Sequence, residues 1–210
     1  MKNIKPYYVE ACVVTLDQAI RAAQNGANRL EVCERLETGG MTPDFNLVSH
    51  ICDSVKIPVR VMIRASAEGF ESDQKILEEM ITSILAFSNL PIDGFVFGLL
   101  KNNRVDREAM DLLLEHTSTL PVTFHKAIDL SSDLESDLKW MNKIQAIDTV
   151  LTSGGAESVF DGFEEILKMK SVFEKDIMAG GKIKPEQLPE IHEKLMVRWY
   201  HGRSIVVDSN

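Results

Sequence analysis

An acidic side chain and a thiol lie two residues apart in the stretch RLEVCERLETGGM, at residues 29–41. If RLEVC is a β-strand, Glu31 and Cys33 point to the same side, because side chains alternate between the two faces of a strand. The earlier stretch YYVEACVV repeats this pattern with Glu10 and Cys12. Carboxylates can transfer protons and thiolates bind soft metal ions, so these side chains are the first candidates for chemistry.

Cys12 and Cys33 predict a metal site. If their strands are neighbours, roughly 4.8 Å apart, both sulfurs lie at equivalent late positions on one inner face and can bridge a soft cation. The alternative is a pair of ordinary buried thiols, because cysteine is among the most buried residue types. The chain has three cysteines and no CxxC spacing, which disfavours a disulfide framework and a structural zinc site. We interpret the third, Cys52, as a core residue on the apolar stripe of a helix.

Acid–base chemistry has a separate set of candidates. His125 and Asp129 could act as a base and the group that orients it, because histidine titrates near neutral pH. Glu10 and Glu31 could form an acid–base pair or anchor a substrate hydroxyl or amine; the alternative is a set of structural ion pairs with arginines. His201 belongs to the same inner face, where the alternative is a hydrogen-bonded core histidine.

The elements that must position these residues alternate along the chain. Eight short apolar or β-branched runs are separated by amphipathic helical patterns. This alternation predicts a mostly parallel sheet, and eight units predict one (β/α)8 TIM-like barrel domain over residues 1–210. After the last run, WYHG, only RSIVVDSN remains, so the last helix is predicted to be short or missing. A doubly wound open sheet is the alternative, but the turn after the first run lacks a GxGxxG motif.

Side-chain alternation also predicts which residues face the barrel axis. The outer face should be apolar because it packs on helices, which leaves a polar inner phase where a purely structural barrel would carry branched apolar residues. Glu10 and Glu31 belong to this inner phase. The residues late in the strands are Cys12, Cys33, Arg64, His125, Lys126, Ser153 and His201, and Asp129 follows shortly after the fifth strand. Function in such barrels lies at this C-terminal end of the strands.

Two glycine turns, TSGG after the sixth run and AGGK after the seventh, predict an anion site. Glycine lets backbone N–H groups approach a ligand closely, and loops at this place in many barrels hold phosphate. The residues concerned are Thr152, Ser153, Gly154, Gly180 and Gly181. The alternative is that these glycines only make short turns between strand and helix.

The composition and charge of the chain limit the classes of partner that it could bind. The net charge of −9 disfavours binding to nucleic acid or to an anionic membrane, because both need a basic face. No run approaches the roughly 20 apolar residues that span a bilayer, and the first residues do not form a signal peptide. We expect a cytoplasmic protein with a small-molecule or metal ligand. A missing last helix would expose apolar strand surface, which predicts a homo-oligomer, either a dimer or a tetramer.

Long stretches of the chain resemble the CutC family, which is named for copper homeostasis. They are VEACVVTLDQAIRAAQNGANRLEVCERLETGGMTPDFNLV, IPVRVMIR, DGFVFGLL, VTFHKAID, VLTSGG, IMAGG and the terminal HG. The resemblance covers nearly the whole chain and implies a cytoplasmic, homo-oligomeric (β/α)8-like barrel linked to copper tolerance, with copper(I) binding through cysteines. It places these residues in the family cavity: Glu10, Glu31, Arg64, His125, Lys126, Asp129, Thr152, Ser153 and His201.

Three positions depart from the family pattern and weaken the prediction of an anion site. Residues 64–66 read Arg-Ala-Ser where Arg-Pro-Arg is common, Lys126 stands where arginine is usual, and Lys182 replaces a glycine. Lysine offers a point charge and not the bidentate fork of arginine. Lys182 and Arg203 could partly compensate for the lost guanidinium groups.

The sequence leaves three functions open and does not decide whether the protein is an enzyme. The first is a copper-homeostasis protein with a copper(I) site at Cys12 and Cys33. The second is a barrel enzyme acting on a small metabolite that bears a phosphate or carboxylate. In that case His125 and a glutamate would move protons, and Arg64, Lys126 and the glycine turns would hold the anion. The third is a non-catalytic oligomeric binding protein that uses the same cavity.

Overall fold

Eight parallel strands close into a barrel within residues 7–206, the part of the chain that the computed structural model describes. In chain order the strands are β1 (Tyr8–Val13), β2 (Arg29–Val32), β3 (Val59–Met62), β4 (Gly94–Phe97), β5 (Leu100–Lys101), β6 (Arg104–Val105), β7 (Val122–Phe124), β8 (Ile147–Thr152), β9 (Asp176–Ala179) and β10 (Trp199–Gly202). All except β5 and β6 belong to the barrel. The predicted TIM-like barrel is confirmed, and the open sheet is wrong.

Seven α-helices are found in the described residues. They are α1 (Leu16–Gln24), α2 (Phe45–Ser54), α3 (Gln74–Phe87), α4 (Arg107–Leu114), α5 (Leu134–Asn142), α6 (Phe163–Val172) and α7 (Leu188–Leu195). Helices α1 to α5 each begin after a Thr or Asp whose side chain accepts a backbone N–H of the first turn. None of the helices in residues 7–206 has the length and apolar character that crossing a bilayer requires.

The barrel closes even though its last unit is short. Strand β10 pairs with β1 in parallel, with Glu10 beside His201. Residues 203–206 contain no helix, in keeping with the predicted short or missing last helix, and residues 207–210 lie outside the described residues.

The outer face of the closing strands is covered, contrary to the expectation that a missing helix would expose it. On β1, Val9, Ala11 and Val13 are each at most 3% exposed, and Tyr200 on β10 is fully buried. These strand residues therefore leave no apolar surface for a partner subunit to cover. The homo-oligomer itself stays a prediction.

A small antiparallel hairpin, β5–β6, follows β4 and was not predicted. Its two-residue turn is Asn102-Asn103, and both residues have positive φ angles, 52° and 54°. Asparagine tolerates this left-handed conformation, which two-residue hairpin turns require. An Asn-Asn pair between LLK and RV was the available signal. The hairpin is tied to α5 because Arg104 Nη2 lies 3.1 Å from Asp137 Oδ1.

The N-terminal end of the barrel is filled by an ion-pair network. Arg60 on β3 is 2% exposed and donates to Asp148 Oδ1 at 2.8 Å and Oδ2 at 2.5 Å. The same guanidinium donates to the Thr123 hydroxyl at 2.5 Å. Such pairing offsets the free energy of burying a charge. This end of the barrel is therefore packed, and space for a ligand lies at the other end.

The turn after β8 depends on glycine for two separate reasons. Gly154 has φ +71°, and a Cβ there would lie 2.3 Å from the Gly162 carbonyl oxygen. Gly26, in contrast, has φ +92°, but a Cβ there would meet nothing within 4 Å.

We expect Gly26→Ala to lower the free energy of unfolding by about 1–2 kcal/mol through the backbone conformation alone. Gly154→Ala should lower it by a further 1–3 kcal/mol, at roughly the cost of overpacking.

Urea unfolding of the two variants beside the wild type checks this difference. Equal destabilisation by the two substitutions would show that the close approach of Gly154 to Gly162 is not a constraint.

Candidate functional site

A cavity of about 700 Å³ opens at the C-terminal ends of the barrel strands. Small-molecule sites typically enclose about 300–1,000 Å³, so this space is large enough for an organic ligand. Its apolar walls are formed by Leu36, Met62, Phe70, Leu151 and Ile183. Cys12, Glu31 and His201 line its deep end. Four exposed cations surround its opening and are called the basic rim: Lys126, Lys182, Lys184 and Arg203.

Glu10 is a buried carboxylate, and each of its two oxygens has a partner. It is fully buried, its Oε2 accepts from Arg29 Nε, and its Oε1 lies 2.9 Å from His201 Nδ1. Burial alone would raise the pKa of Glu10, but Arg29 and His201 outweigh it and lower that pKa to about 2. Arg29 is held in turn over the Trp199 ring, 4.1 Å from its centroid. Glu10 therefore binds its neighbours across both strand pairings and does not line the cavity.

His201 connects Glu10 to a second carboxylate. Its Nδ1 faces Glu10, and its Nε2 lies 3.5 Å from Glu31 Oε2. Burial opposes the charged imidazole, yet Glu31 and Glu10 together raise the pKa of His201. The imidazole thus bridges two acidic groups and faces the cavity, as the sequence predicts for this residue.

Glu31 is buried with one oxygen unpaired. The residue is 2% exposed, and its Oε1 has no hydrogen-bond partner among the described residues. Burial raises the pKa of Glu31, and His201 and Cys12 offset this only in part. A buried carboxylate oxygen without a partner carries a desolvation cost, so this atom is a candidate for binding a ligand.

The two thiols predicted to bind metal come together beside Glu31. The sulfurs of Cys12 and Cys33 are 3.3 Å apart, and both residues are buried. The predicted equivalence of their positions is wrong, because Cys12 pairs with Glu31 across the strands and Cys33 lies two residues farther along. The sulfurs still come together, because Cys12 and Cys33 belong to one buried cluster with Met62 and Val96.

Cys12, Glu31 and Cys33 form what we call the thiol–carboxylate cluster. One donor atom from each residue lies within 4.8 Å of the others. The pKa of the Cys12 thiol is raised by its hydrogen bond with Cys33, by burial and by the Glu31 charge. Binding of a metal ion must therefore displace a proton from Cys12. Cys52 is half-buried on α2 and packs against the main core, as interpreted from the sequence.

His125 and Asp129 are not paired with each other. His125 is 4% exposed, its Nδ1 accepts from the Ala127 N–H at 3.3 Å, and its ring packs edge-on against Phe70. Burial and the Arg64 charge lower the pKa of His125 to about 3. The imidazole is therefore neutral at physiological pH, and its contacts cap the short helical turn after β7.

Asp129 occupies the donors that were predicted to hold an anion. Its Oδ2 accepts from the Ser153 N–H at 2.9 Å and lies 3.0 Å from the Ser153 hydroxyl, and its Oδ1 accepts from the Thr152 hydroxyl. The Gly154 N–H donates to Thr152 Oγ1 at 2.8 Å. A carboxylate of the chain itself thus binds this turn.

The remaining residues predicted to hold an anion are divided between the barrel wall and the cavity. The Gly180 N–H donates to the Thr152 carbonyl at 2.8 Å, whereas Gly181 lines the cavity. Arg64 Nη1 donates to the carbonyls of Thr38 at 2.8 Å and Gly40 at 3.2 Å. The Arg64 guanidinium therefore orders a loop. Lys126, in contrast, is exposed on the basic rim.

Several cavity residues were not found from the sequence. Lys184 belongs to the basic rim, and Phe70 and Ile183 form the walls. All three lie in or near loops that follow strands. In such loops the sequence position does not indicate which way a side chain points. The only available signal for Lys184 was a second lysine shortly after the AGGK turn.

The low pKa of Glu10 gives a prediction about stability and pH. Its folded-state pKa of about 2 lies below the ordinary value of 4.5, so ionised Glu10 contributes stability above pH 4.5 that is lost as pH falls through 2. We expect Glu10→Gln to lower the free energy of unfolding by about 3 kcal/mol or more at pH 7, because Arg29 loses its buried partner. The difference from wild type should shrink by more than half at pH 3.

Chemical unfolding at the two pH values measures this difference, with Glu190→Gln at an exposed position of α7 as the matched control. The control should change stability little at either pH. A Glu10→Gln penalty that is the same at pH 7 and pH 3 would contradict the assigned role of the ionised carboxylate.

Comparison with known proteins identifies the family. Residues 7–206 match the model of the CutC family. The copper homeostasis protein cutC homolog of Caenorhabditis elegans is 32% identical over 217 residues, covering 100% of this chain and 84% of the relative. The homolog of Homo sapiens is 33% identical, covering 89% of this chain and 69% of the relative.

Solved structures agree with this result. The crystal structure of CutC from Streptococcus agalactiae has a TM-score of 0.89 and 27% identity, covering 95% of this chain and 100% of that chain. A dihydrodipicolinate synthase from Cyanidioschyzon merolae has a TM-score of 0.66 at 13% identity, covering 95% of this chain and 70% of that chain, which indicates a shared fold alone. By sequence and structure together, the chain belongs to the CutC family.

Proposed function

We propose that this protein handles copper(I) as cargo in the cytoplasm and binds the ion through Cys12 and Cys33. The observation that carries the proposal is the convergence of two buried sulfurs, 3.3 Å apart, at the deep end of an open cavity. The names of the relatives, which are copper homeostasis proteins, support the choice of metal.

The surroundings of the two sulfurs suit a soft monovalent ion. Cys12 and Cys33 pack with Met62 and Val96 in one small buried cluster. Thiolate and thioether sulfurs are the ligands that copper(I) prefers. The thioether of Met62 therefore offers an additional sulfur ligand in the same cluster. Because Cys12 lines the cavity and Cys33 is fully buried, an arriving ion would meet Cys12 first.

Removal of the thiols tests the copper site. We expect the double substitution Cys12→Ser/Cys33→Ser to lower the copper(I) affinity by at least about tenfold, as loss of metal-site residues typically does. An anaerobic titration against a competing copper(I) chelator measures the affinity.

The matched control for this titration is Cys52→Ser, which removes the thiol outside the cavity and should leave the affinity unchanged. If the double variant binds copper(I) as the wild type does, the Cys12–Cys33 site is refuted.

A second candidate function is a barrel enzyme for a small anionic metabolite. The observation that favours it is the basic rim around a cavity of about 700 Å³. Lys182 is paired with Glu157, whereas Lys126 and Lys184 add positive charge at the opening. A phosphate or carboxylate of the ligand would bind at this rim, with the rest of the molecule against the apolar walls.

Ligand-dependent thermal stability tests this second candidate. Phosphorylated sugars and small carboxylates at concentrations well above their dissociation constants should raise the melting temperature, because they bind only the folded state. The rise should shrink in Lys184→Gln and persist in Lys75→Gln, which changes an exposed lysine on α3. Unchanged melting temperatures across the whole panel would refute an anion-binding cavity.

A further inference from the structure

We propose that Glu31 is a third metal ligand beside Cys12 and Cys33, so that the cluster takes a divalent cation of the zinc class and leaves one coordination position open to the cavity. This inference rests on the proposed role of the two cysteines as metal ligands. It does not require that the metal be copper.

The spacing of the donor atoms fits such an ion. The two sulfurs are 3.3 Å apart, and a Glu31 oxygen lies within 4.8 Å of both. Tetrahedral zinc, with Zn–S near 2.3 Å and Zn–O near 2.1 Å, separates its donor atoms by roughly 3.5–4 Å. Small side-chain movements would therefore place all three donors at bonding distance from one ion.

The unpaired oxygen of Glu31 is an independent sign of a ligand. Glu31 is 2% exposed, and its Oε1 has no hydrogen-bond partner among residues 7–206. Leaving such an atom buried and unpaired costs free energy, and binding to a cation would remove that cost.

The neighbours of Glu31 hold it in the way that outer groups orient metal ligands. His201 Nε2 lies 3.5 Å from Glu31 Oε2, and His201 Nδ1 lies 2.9 Å from Glu10 Oε1. Glu10 is fixed in turn by Arg29. A carboxylate and a histidine behind the first ligands, in such a row, set ligand orientation in many metal sites.

Charge favours a divalent ion over a monovalent one. Two thiolates and one carboxylate bring three negative charges into a buried space. A monovalent ion would leave two of these charges uncompensated, and a divalent ion leaves one. Because uncompensated buried charge is strongly destabilising, the three ionised donors together favour a divalent cation, whereas copper(I) would be bound by the two sulfurs without Glu31.

The fourth position of the ion would face the cavity. Cys12 and Glu31 line that cavity, whereas Cys33 is fully buried behind them. Zinc sites with three protein ligands and one open position exchange water or substrate there, in contrast to structural sites, which are closed by four protein ligands. The space of about 700 Å³ next to the open position is large enough for an organic co-ligand.

Cobalt(II), a spectroscopic probe for zinc sites, tests the proposal on the full-length chain. Anaerobic addition of Co²⁺ to the wild type should produce a thiolate-to-cobalt charge-transfer band with the intense visible absorption of a four-coordinate ion. Glu31→Gln should weaken Co²⁺ binding by at least about tenfold. The matched control, Glu157→Gln, removes an exposed carboxylate of the same cavity and should bind Co²⁺ as the wild type does.

Absence of the charge-transfer band in the wild type, or equal Co²⁺ affinity in Glu31→Gln and wild type, would overturn the proposal. If Glu31→Gln fails to fold, X-ray absorption at the zinc edge of the loaded wild type decides. Two sulfurs with oxygen or nitrogen ligands support the third ligand; a shell without sulfur, or one of sulfur alone, refutes it.

The outcome is separable from that of the copper titration. If the protein binds copper(I) through its cysteines but gives no cobalt band, only the three-ligand site is refuted. If the protein binds Co²⁺ in a way that depends on Glu31 but does not bind copper(I), only the copper assignment is refuted.

Discussion

The buried carboxylate of Glu10 joins the first, second and last strands of the barrel. It accepts from Arg29 on β2 and lies 2.9 Å from His201 on β10. A buried charge needs such partners, and here the partners lie on the two strands adjacent to β1. The interaction therefore ties the seam where the barrel closes and at the same time turns His201 towards Glu31. Loss of Glu10 would loosen the seam and the site together.

The cavity that results has two chemically different ends. At the deep end, the thiol–carboxylate cluster offers soft and acidic donors from buried residues. At the opening, the basic rim offers exposed positive charge. Between them lie apolar side chains. This division allows one barrel to bind a metal ion at depth and an anionic group at the surface, which is why the two proposed functions use different residues.

The sequence predicted the fold and the inner phase of the strands well, because both depend on local periodicity. Glu10, Cys12, Glu31 and Cys33 all point inward as the period of two requires. The residues that pair between neighbouring strands could not be predicted, because the pairing depends on the register of the barrel strands. Thus Cys12 pairs with Glu31 and not with Cys33.

Loop contacts escaped prediction for a similar reason. Asp129 binds Ser153, 24 residues away, and not the nearby His125. A carboxylate binds whichever donors the fold brings close to it. The spacing of residues along the chain therefore did not indicate that Asp129 would contact Ser153. His125 likewise contacts a backbone N–H and an aromatic ring, which leaves it neutral and buried.

The metal site proposed at Cys12 and Cys33 lies at the deep end of the cavity. Anomalous diffraction at the copper edge from crystals of the copper(I)-loaded protein tests it most directly. We expect one strong anomalous peak within bonding distance of both sulfurs. A map without a peak there, with the copper bound to other residues or only at the surface, would contradict it.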